Sequence, residues 1–143
     1  MVDFLSRAER SERMSRIAAR HTVPEIVVRR FLHSHGFRYR LHSKRLPGHP
    51  DIVLPKYRTV IFVNGCFWHH HEGCKIANVP QSNIRFWMEK FERNRRRDRR
   101  VRNELRRLGW HVMTVWECQI VTADKSAKAL TTLVRHMGRF RAK

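Results

Sequence analysis

The sequence predicts a single α/β domain in which helices flank a mixed β-sheet. Three observations carry that prediction. Apolar residues change period along the chain, from helical spacing to alternation and back, giving the order helix, three strands, helix, strand, helix. One short segment, Val60 to Val63, is wholly apolar, as a strand covered on both faces must be. With 143 residues, no internal repeat and no low-complexity linker, the chain has the size of one domain and can bury about two-thirds of its unfolded surface.

Residues 1–20 read as a basic arm preceding a domain over 21–143. The arm is arginine-rich and weakly helical, with Leu5, Met14, Ile17 and Ala18 too few to build a strong core face. It fits either a solvated surface helix or an arm that clasps DNA. Thr22-x-x-Glu25 is a capping box with Pro24 in the first turn, and Ile26, Val27, Phe31 and Leu32 recur at helical spacing as far as Gly36. Phe37, Tyr39 and Leu41 then alternate with Arg38, Arg40 and His42, the period of a half-buried strand. After the basic turn Ser43 to Pro50, the segments Asp51 to Leu54 and Arg58 to Val63 read as a hairpin joined at Pro55-Lys-Tyr57.

From Ser82 to Leu108 the pattern is one long helix stopped by Gly109. Its apolar stripe runs Ile84, Trp87, Met88, Phe91, Val101, Leu105 and Leu108. Asp98 falls on that stripe while arginines crowd the rest of the circumference, so this carboxylate points inward and needs a partner, an arginine being the simplest. Trp110 to Trp116 is a further strand. Ala123 to Met137 is a last helix with Ala127, Leu130, Val134 and Met137 on one face.

The charge narrows the partners. Lys and Arg number 31 against 12 Asp and Glu, a formal net charge of +19, and arginine, which dominates, contacts phosphate bidentately. Nucleic acid is the leading expectation, although other basic classes share such a charge. No apolar run approaches the ~18–20 residues of a membrane span and no signal-like segment opens the chain, so a cytoplasmic protein is expected. Three cysteines, an odd number, argue against a disulfide framework.

The chemistry concentrates in Val60 to Cys74, where the buried strand opens into a thiol, two aromatics, three histidines and a second thiol. Cys66, His71 and Cys74, with gaps of four and two residues, suit a tetrahedral Zn²⁺, and Cys118 at the end of the next strand supplies a third sulfur. Asp51 follows a proline at a strand start, where aspartate is often only a turn residue. The helix carrying Glu25, the histidine loop ending the neighbouring strand and the basic surroundings favour another role, a carboxylate holding Mg²⁺ against a phosphodiester.

Several motifs in order carry a resemblance: Pro50-Asp51, the strand Val60 to Val63, Gly-Cys-Phe-Trp-His from Gly65 to His69, Phe86-Trp87, Asn94 with Arg97-Asp98, Gly109-Trp110 and Val115-Trp-Glu-Cys118. Over roughly Arg10 to Cys118 the chain resembles the very short patch repair (Vsr) endonucleases, which nick DNA at mismatches. The resemblance implies a restriction-endonuclease-like fold and cleavage of one strand of duplex DNA 5′ to a mismatched thymine, as in a T:G pair left by deamination of 5-methylcytosine. It implies that Asp51 and the main-chain carbonyl of Val63 bind catalytic Mg²⁺. Glu25 supports the hydrated ion, His69 transfers a proton and Asp98 orients His69. Cys66, His71, Cys74 and Cys118 match the family's structural zinc site. Phe67, Trp68 and Trp87 match its aromatic wedge, although Trp87 also fits the helix's core stripe, and Met14 matches a minor-groove residue. The partners implied are mismatched double-stranded DNA and a MutL-type repair protein, with the enzyme a monomer at the bacterial nucleoid.

The sequence departs from the family pattern twice. Val63-Asn64 stands where a Thr-His pair is common, and Glu72-Gly73 makes the His71 to Cys74 spacing one residue longer. The acid-x-lysine of the wider nuclease superfamily is also absent. A nuclease of the same fold acting on matched or modified DNA, and a zinc-stabilised DNA-binding module without activity, are the competing readings.

Overall fold

The computed structural model describes residues 22–66, 71, 73–74, 81–120 and 122–137. The N-terminal arm, and with it Met14, lies outside these residues, as do Phe67, Trp68 and His69.

Helix α1 (Val23–Ser34) begins as its capping box dictates, with the Thr22 hydroxyl accepting the Glu25 N–H at 3.3 Å and Pro24 in the first turn. Strand β1 is only Arg40–Leu41, shorter than the alternation from Phe37 predicts. The reason lies in its partner. Strand β2 (Ile52–Leu54) pairs Arg40 with Val53 and Leu41 with Ile52, then yields to a 3₁₀ turn at Pro55–Tyr57 that leaves Phe37 no ladder. Phe37 instead packs its ring against Tyr57 at 5.2 Å.

Strand β3 (Thr59–Asn64) runs antiparallel to β2, and β4 (His111–Trp116) runs parallel to β3 over six residue pairs, giving the sheet order β1-β2-β3-β4. A parallel neighbour requires a crossover, which helix α2 (Ile84–Arg107) supplies. Helix α3 (Ala123–Met137) closes the described chain.

The side-chain alternation assigns each helix to a face of the sheet. Ile52, Leu54, Ile61, Val63, Met113 and Val115 meet Val28 and Leu32 of α1 and Leu130, Leu133 and Met137 of α3. Val53, Val60, Phe62 and Val112 face the other way, onto Val101 and Leu105 of α2. The result is the expected mixed sheet between helical layers.

Two helix faces differ from their predicted stripes. On α2, Trp87, Phe91 and Leu105 are buried but Ile84, Met88 and Leu108 are about half exposed. A 24-residue helix is ~36 Å long, whereas a six-residue strand spans ~20 Å, so the ends of α2 overhang the sheet. On α3, Leu133 is buried in place of Ala127, which is exposed. Leu133 lies three residues after Leu130 and four before Met137, so the buried stripe is rotated slightly from the predicted one.

The turn before β2 is held close to α2. Gly48 has φ +72°, and a Cβ built there would collide with Val101 Cγ1. Gly48→Ala combines a left-handed backbone with overpacking, so a loss of roughly 2–4 kcal/mol is expected, read as a lower urea midpoint.

Candidate active site and metal centre

The functional side chains gather at the end of the sheet where β3 and β4 finish. Antiparallel pairing places the start of β2 beside the end of β3, and the Val63 N–H donates to Asp51 Oδ2 at 2.7 Å. On the other flank, the His42 N–H donates to the Asp51 carbonyl at 3.0 Å, continuing the β1–β2 ladder by one bond. Asp51 is therefore fixed through its main chain by one neighbour and through its carboxylate by another.

Glu25 reaches the same place from the first turn of α1, where the helix dipole favours an anion. Its carboxylate is almost wholly buried, which requires partners. Arg29 Nη1 donates to Oε2 at 3.2 Å, and His42 Nε2 lies 2.6 Å from Oε1, a hydrogen bond in which the imidazole N–H donates to the carboxylate. His42 holds this position with φ +48°, a left-handed conformation costing about 1–3 kcal/mol in a residue other than glycine.

Ligand atoms of Glu25, His42 and Asp51 all lie within 4.8 Å of one another. The two carboxylates are hard donors, which suit a hard divalent cation such as Mg²⁺. His42 is the member that the sequence did not single out. Its alternation with Leu41 marked it only as the outward residue of a strand. The available signal was register, since pairing Leu41 with Ile52 sets residue 42 opposite Asp51.

The second cluster lies just beyond β3 and β4. Cys66, His71, Cys74 and Cys118 also offer ligand atoms within 4.8 Å of one another. His71 Nδ1 is 3.8 Å from Cys66 Sγ and 3.4 Å from Cys118 Sγ. A tetrahedron with Zn–S bonds of ~2.3 Å and Zn–N bonds of ~2.0 Å has edges of about 3.5 Å, so these separations fit zinc. Local bonds shape the cluster: the His71 N–H donates to the Cys66 carbonyl at 2.9 Å, and the Cys74 N–H to the His71 carbonyl at 3.3 Å. The His71 ring stacks on Trp116 with centroids 4.0 Å apart. Glu117 accepts the Cys66 N–H at 3.4 Å. Burial pushes the Cys66 thiol up to about 12 and raises the Cys118 thiol as well. A bound cation reverses that preference by stabilising the thiolates.

A model of the family described as "DNA mismatch endonuclease Vsr" matches residues 2–75, just over half of the chain. The chain belongs to the Vsr family. Among similar proteins, the DNA mismatch endonuclease Vsr of Escherichia coli K12 is 43% identical over 132 residues, covering 92% of this chain and 84% of that protein. The type II nicking enzyme V.NmeAIP of Neisseria meningitidis is 43% identical over 137 residues, 96% of this chain and 97% of that protein. V.XorIIP of Xanthomonas oryzae pv. oryzae, also a type II nicking enzyme, is 48% identical over 120 residues, 84% and 88% of the two chains. Membership in the Vsr family makes the chain an endodeoxyribonuclease with a restriction-endonuclease-like fold, and DNA its partner.

The structure thus brings Glu25, Asp51, Val63 and the four Cys/His residues to one end of the sheet. Asp98 is partly buried on α2, three residues before Val101, on the face that meets the sheet. The described cation clusters do not include it. His69, its expected Vsr partner, lies outside the described residues, with Phe67, Trp68 and Met14. Trp87 is buried at 8% exposure, edge-on to Phe86 and stacked with Phe91, as its place on the core stripe implies. Among the described residues, no helix is long and apolar enough to cross a membrane.

Proposed function

We propose that this Vsr-family endonuclease nicks one strand of duplex DNA 5′ to a mismatched thymine, T:G above all, using Mg²⁺. The observation that carries the reading is the meeting of Glu25 and Asp51, from different elements, at the sheet end beside the Cys/His cluster. The E. coli relative is a DNA mismatch endonuclease, which supports the substrate.

Phosphodiester hydrolysis needs a water nucleophile, neutralisation of phosphate charge and a proton for the leaving oxygen. A bound Mg²⁺ supplies the charge and lowers the pKa of its water. The chain's own residues do the rest. Asp51 binds the ion through a carboxylate whose position the Val63 N–H sets. A strand residue's N–H and C=O leave by the same edge, so the Val63 carbonyl shares the edge of the N–H that meets Asp51 and would be available as a further ligand. Glu25 holds the ion's water shell from α1. His69 moves the proton at the scissile phosphate, in the pH range where imidazole serves as acid or base, and Asp98 orients its ring. The exposed arginines of α2, among them Arg96, Arg97, Arg99 and Arg100, bind backbone phosphates.

Cys66, His71, Cys74 and Cys118 would hold zinc in a structural role, since four protein ligands would leave no position for water or substrate. That cluster ties the aromatic segment carrying Phe67 and Trp68 to the sheet. Those rings, with Trp87 and with Met14 from the arm, form the wedge that enters beside the mismatch, where weak pairing lowers the unstacking cost. The enzyme works as a monomer at the bacterial nucleoid, with a MutL-type protein as repair partner.

The test is a nicking assay on otherwise identical duplexes carrying each mismatch or none, with and without Mg²⁺. Cleavage of T:G at least tenfold faster than of matched duplex, dependent on Mg²⁺, is expected. Equal cutting of matched duplex would instead mark a nuclease for ordinary or modified DNA.

A further inference from the structure

We infer that His42 is a positioning residue that fixes the spacing between the two acids of the catalytic cation site. The inference rests on the reading of Glu25 and Asp51 as that site and deepens it.

Glu25 and Asp51 belong to different elements, a helix and the start of a strand. His42 touches both. Its main-chain N–H is bound to the Asp51 carbonyl at 3.0 Å, and its ring reaches Glu25 Oε1 at 2.6 Å. One residue therefore bridges the strand that carries one acid and the carboxylate of the other. The left-handed backbone at His42, φ +48°, ends β1 just where the ring must turn toward α1. Its side chain is only 11% exposed and that of Glu25 2%, so solvent competes little for the bond.

Arg29 also holds Glu25. Arg29 approaches the other carboxylate oxygen from four residues along the same helix, so it can restrain the acid only relative to α1. A hydrated cation held on Asp51 with its water shell against Glu25 would require the separation of the two acids to be set before it arrives, since ions such as Mg²⁺ tolerate little distortion of octahedral geometry. The imidazole supplies that preorganisation, and a group of similar reach that can donate one hydrogen bond should replace it.

The experiment compares the wild type, His42→Ala, His42→Gln and Asp51→Ala as full chains. Mn²⁺ binding is followed by electron paramagnetic resonance, and single-turnover nicking is measured against Mg²⁺ concentration. Zinc content and duplex affinity report the fold. His42→Ala is expected to weaken Mn²⁺ binding at least tenfold and raise the Mg²⁺ needed for half-maximal nicking by a similar factor. The rate at saturating Mg²⁺ should fall much less. His42→Gln should recover both quantities to within about threefold, since its amide can donate to Glu25. Wild-type Mn²⁺ affinity in His42→Ala would overturn the inference, and so would failure of His42→Gln to improve on it when zinc content and duplex affinity are normal. Wild-type Mn²⁺ binding by Asp51→Ala would instead remove the underlying cation site.

Discussion

Asp51→Ala is expected to lower single-turnover nicking of a T:G duplex by roughly 10³-fold or more while duplex affinity stays within about threefold of wild type. The expected size follows from the chemistry. A divalent ion that neutralises phosphate charge and activates water contributes several kcal/mol to the transition state, and each ~1.4 kcal/mol is a factor of ten. Binding should survive because the arginines of α2 and the Cys/His cluster do not depend on this carboxylate. Truncation to alanine also strips the part-buried Val63 N–H of its acceptor, which by itself costs up to about 1–3 kcal/mol. Asp51→Asn separates the two effects. Its amide oxygen can still accept from Val63 and keep the β2–β3 junction intact, yet it lacks the negative charge that holds the ion. Both variants should therefore fail to nick, with Asp51→Asn melting closer to wild type. His69→Ala should likewise abolish nicking and spare binding. Wild-type cutting by Asp51→Asn and His69→Ala would refute the active site.

The parts of this arrangement that were legible in the sequence are those set by local rules. The capping box at Thr22 fixes where Glu25 enters, because a first-turn position follows from hydrogen bonding within four residues. The wholly apolar β3 announces a strand covered on both faces, and the clusters built on Ile61 and Val60 cover both. The Cys/His spacing points to side chains that do meet in one cluster able to hold a metal, because ligand chemistry tolerates few alternatives. Pairing was harder to read. The two-residue length of β1 is decided by where its partner ends, and the role of His42 by which residue lies across from it, neither of which has a local signature. The exposed ends of α2 have the same origin: the stripe shows which face turns inward, whereas the length of the sheet determines how much of that face finds a partner. Val63-Asn64 is a further case. The side chain at 63 differs from the common threonine, yet the N–H that orients Asp51 is independent of side-chain identity, so the substitution leaves this contact intact.

Removing zinc should have the other large effect. The purified protein is expected to carry one zinc per chain, and chelation or Cys118→Ser should release it, lower the melting temperature by roughly 10–20 °C and abolish specific duplex binding. Cys118 lies 52 residues from Cys66 and joins the end of β4 to the end of β3, so its loss opens the longest loop that the cluster closes. What remains is unfavourable: the Cys66 thiol, pushed up to about 12 by burial, stays protonated at neutral pH and packs against other polar ligand atoms with no charge to organise them. Because Phe67 directly follows Cys66 in sequence, the proposed wedge loses its metal anchor as well. The same thiols determine the sign of the pH dependence. Metal displaces their protons, and their raised pKa values mean that those protons are present throughout the neutral range, so zinc affinity should strengthen as pH rises from 6.5 to 8 in competition with a chelator. Purified protein without bound zinc, or a melting temperature indifferent to the chelator, would show that the four ligands hold the loop by packing alone.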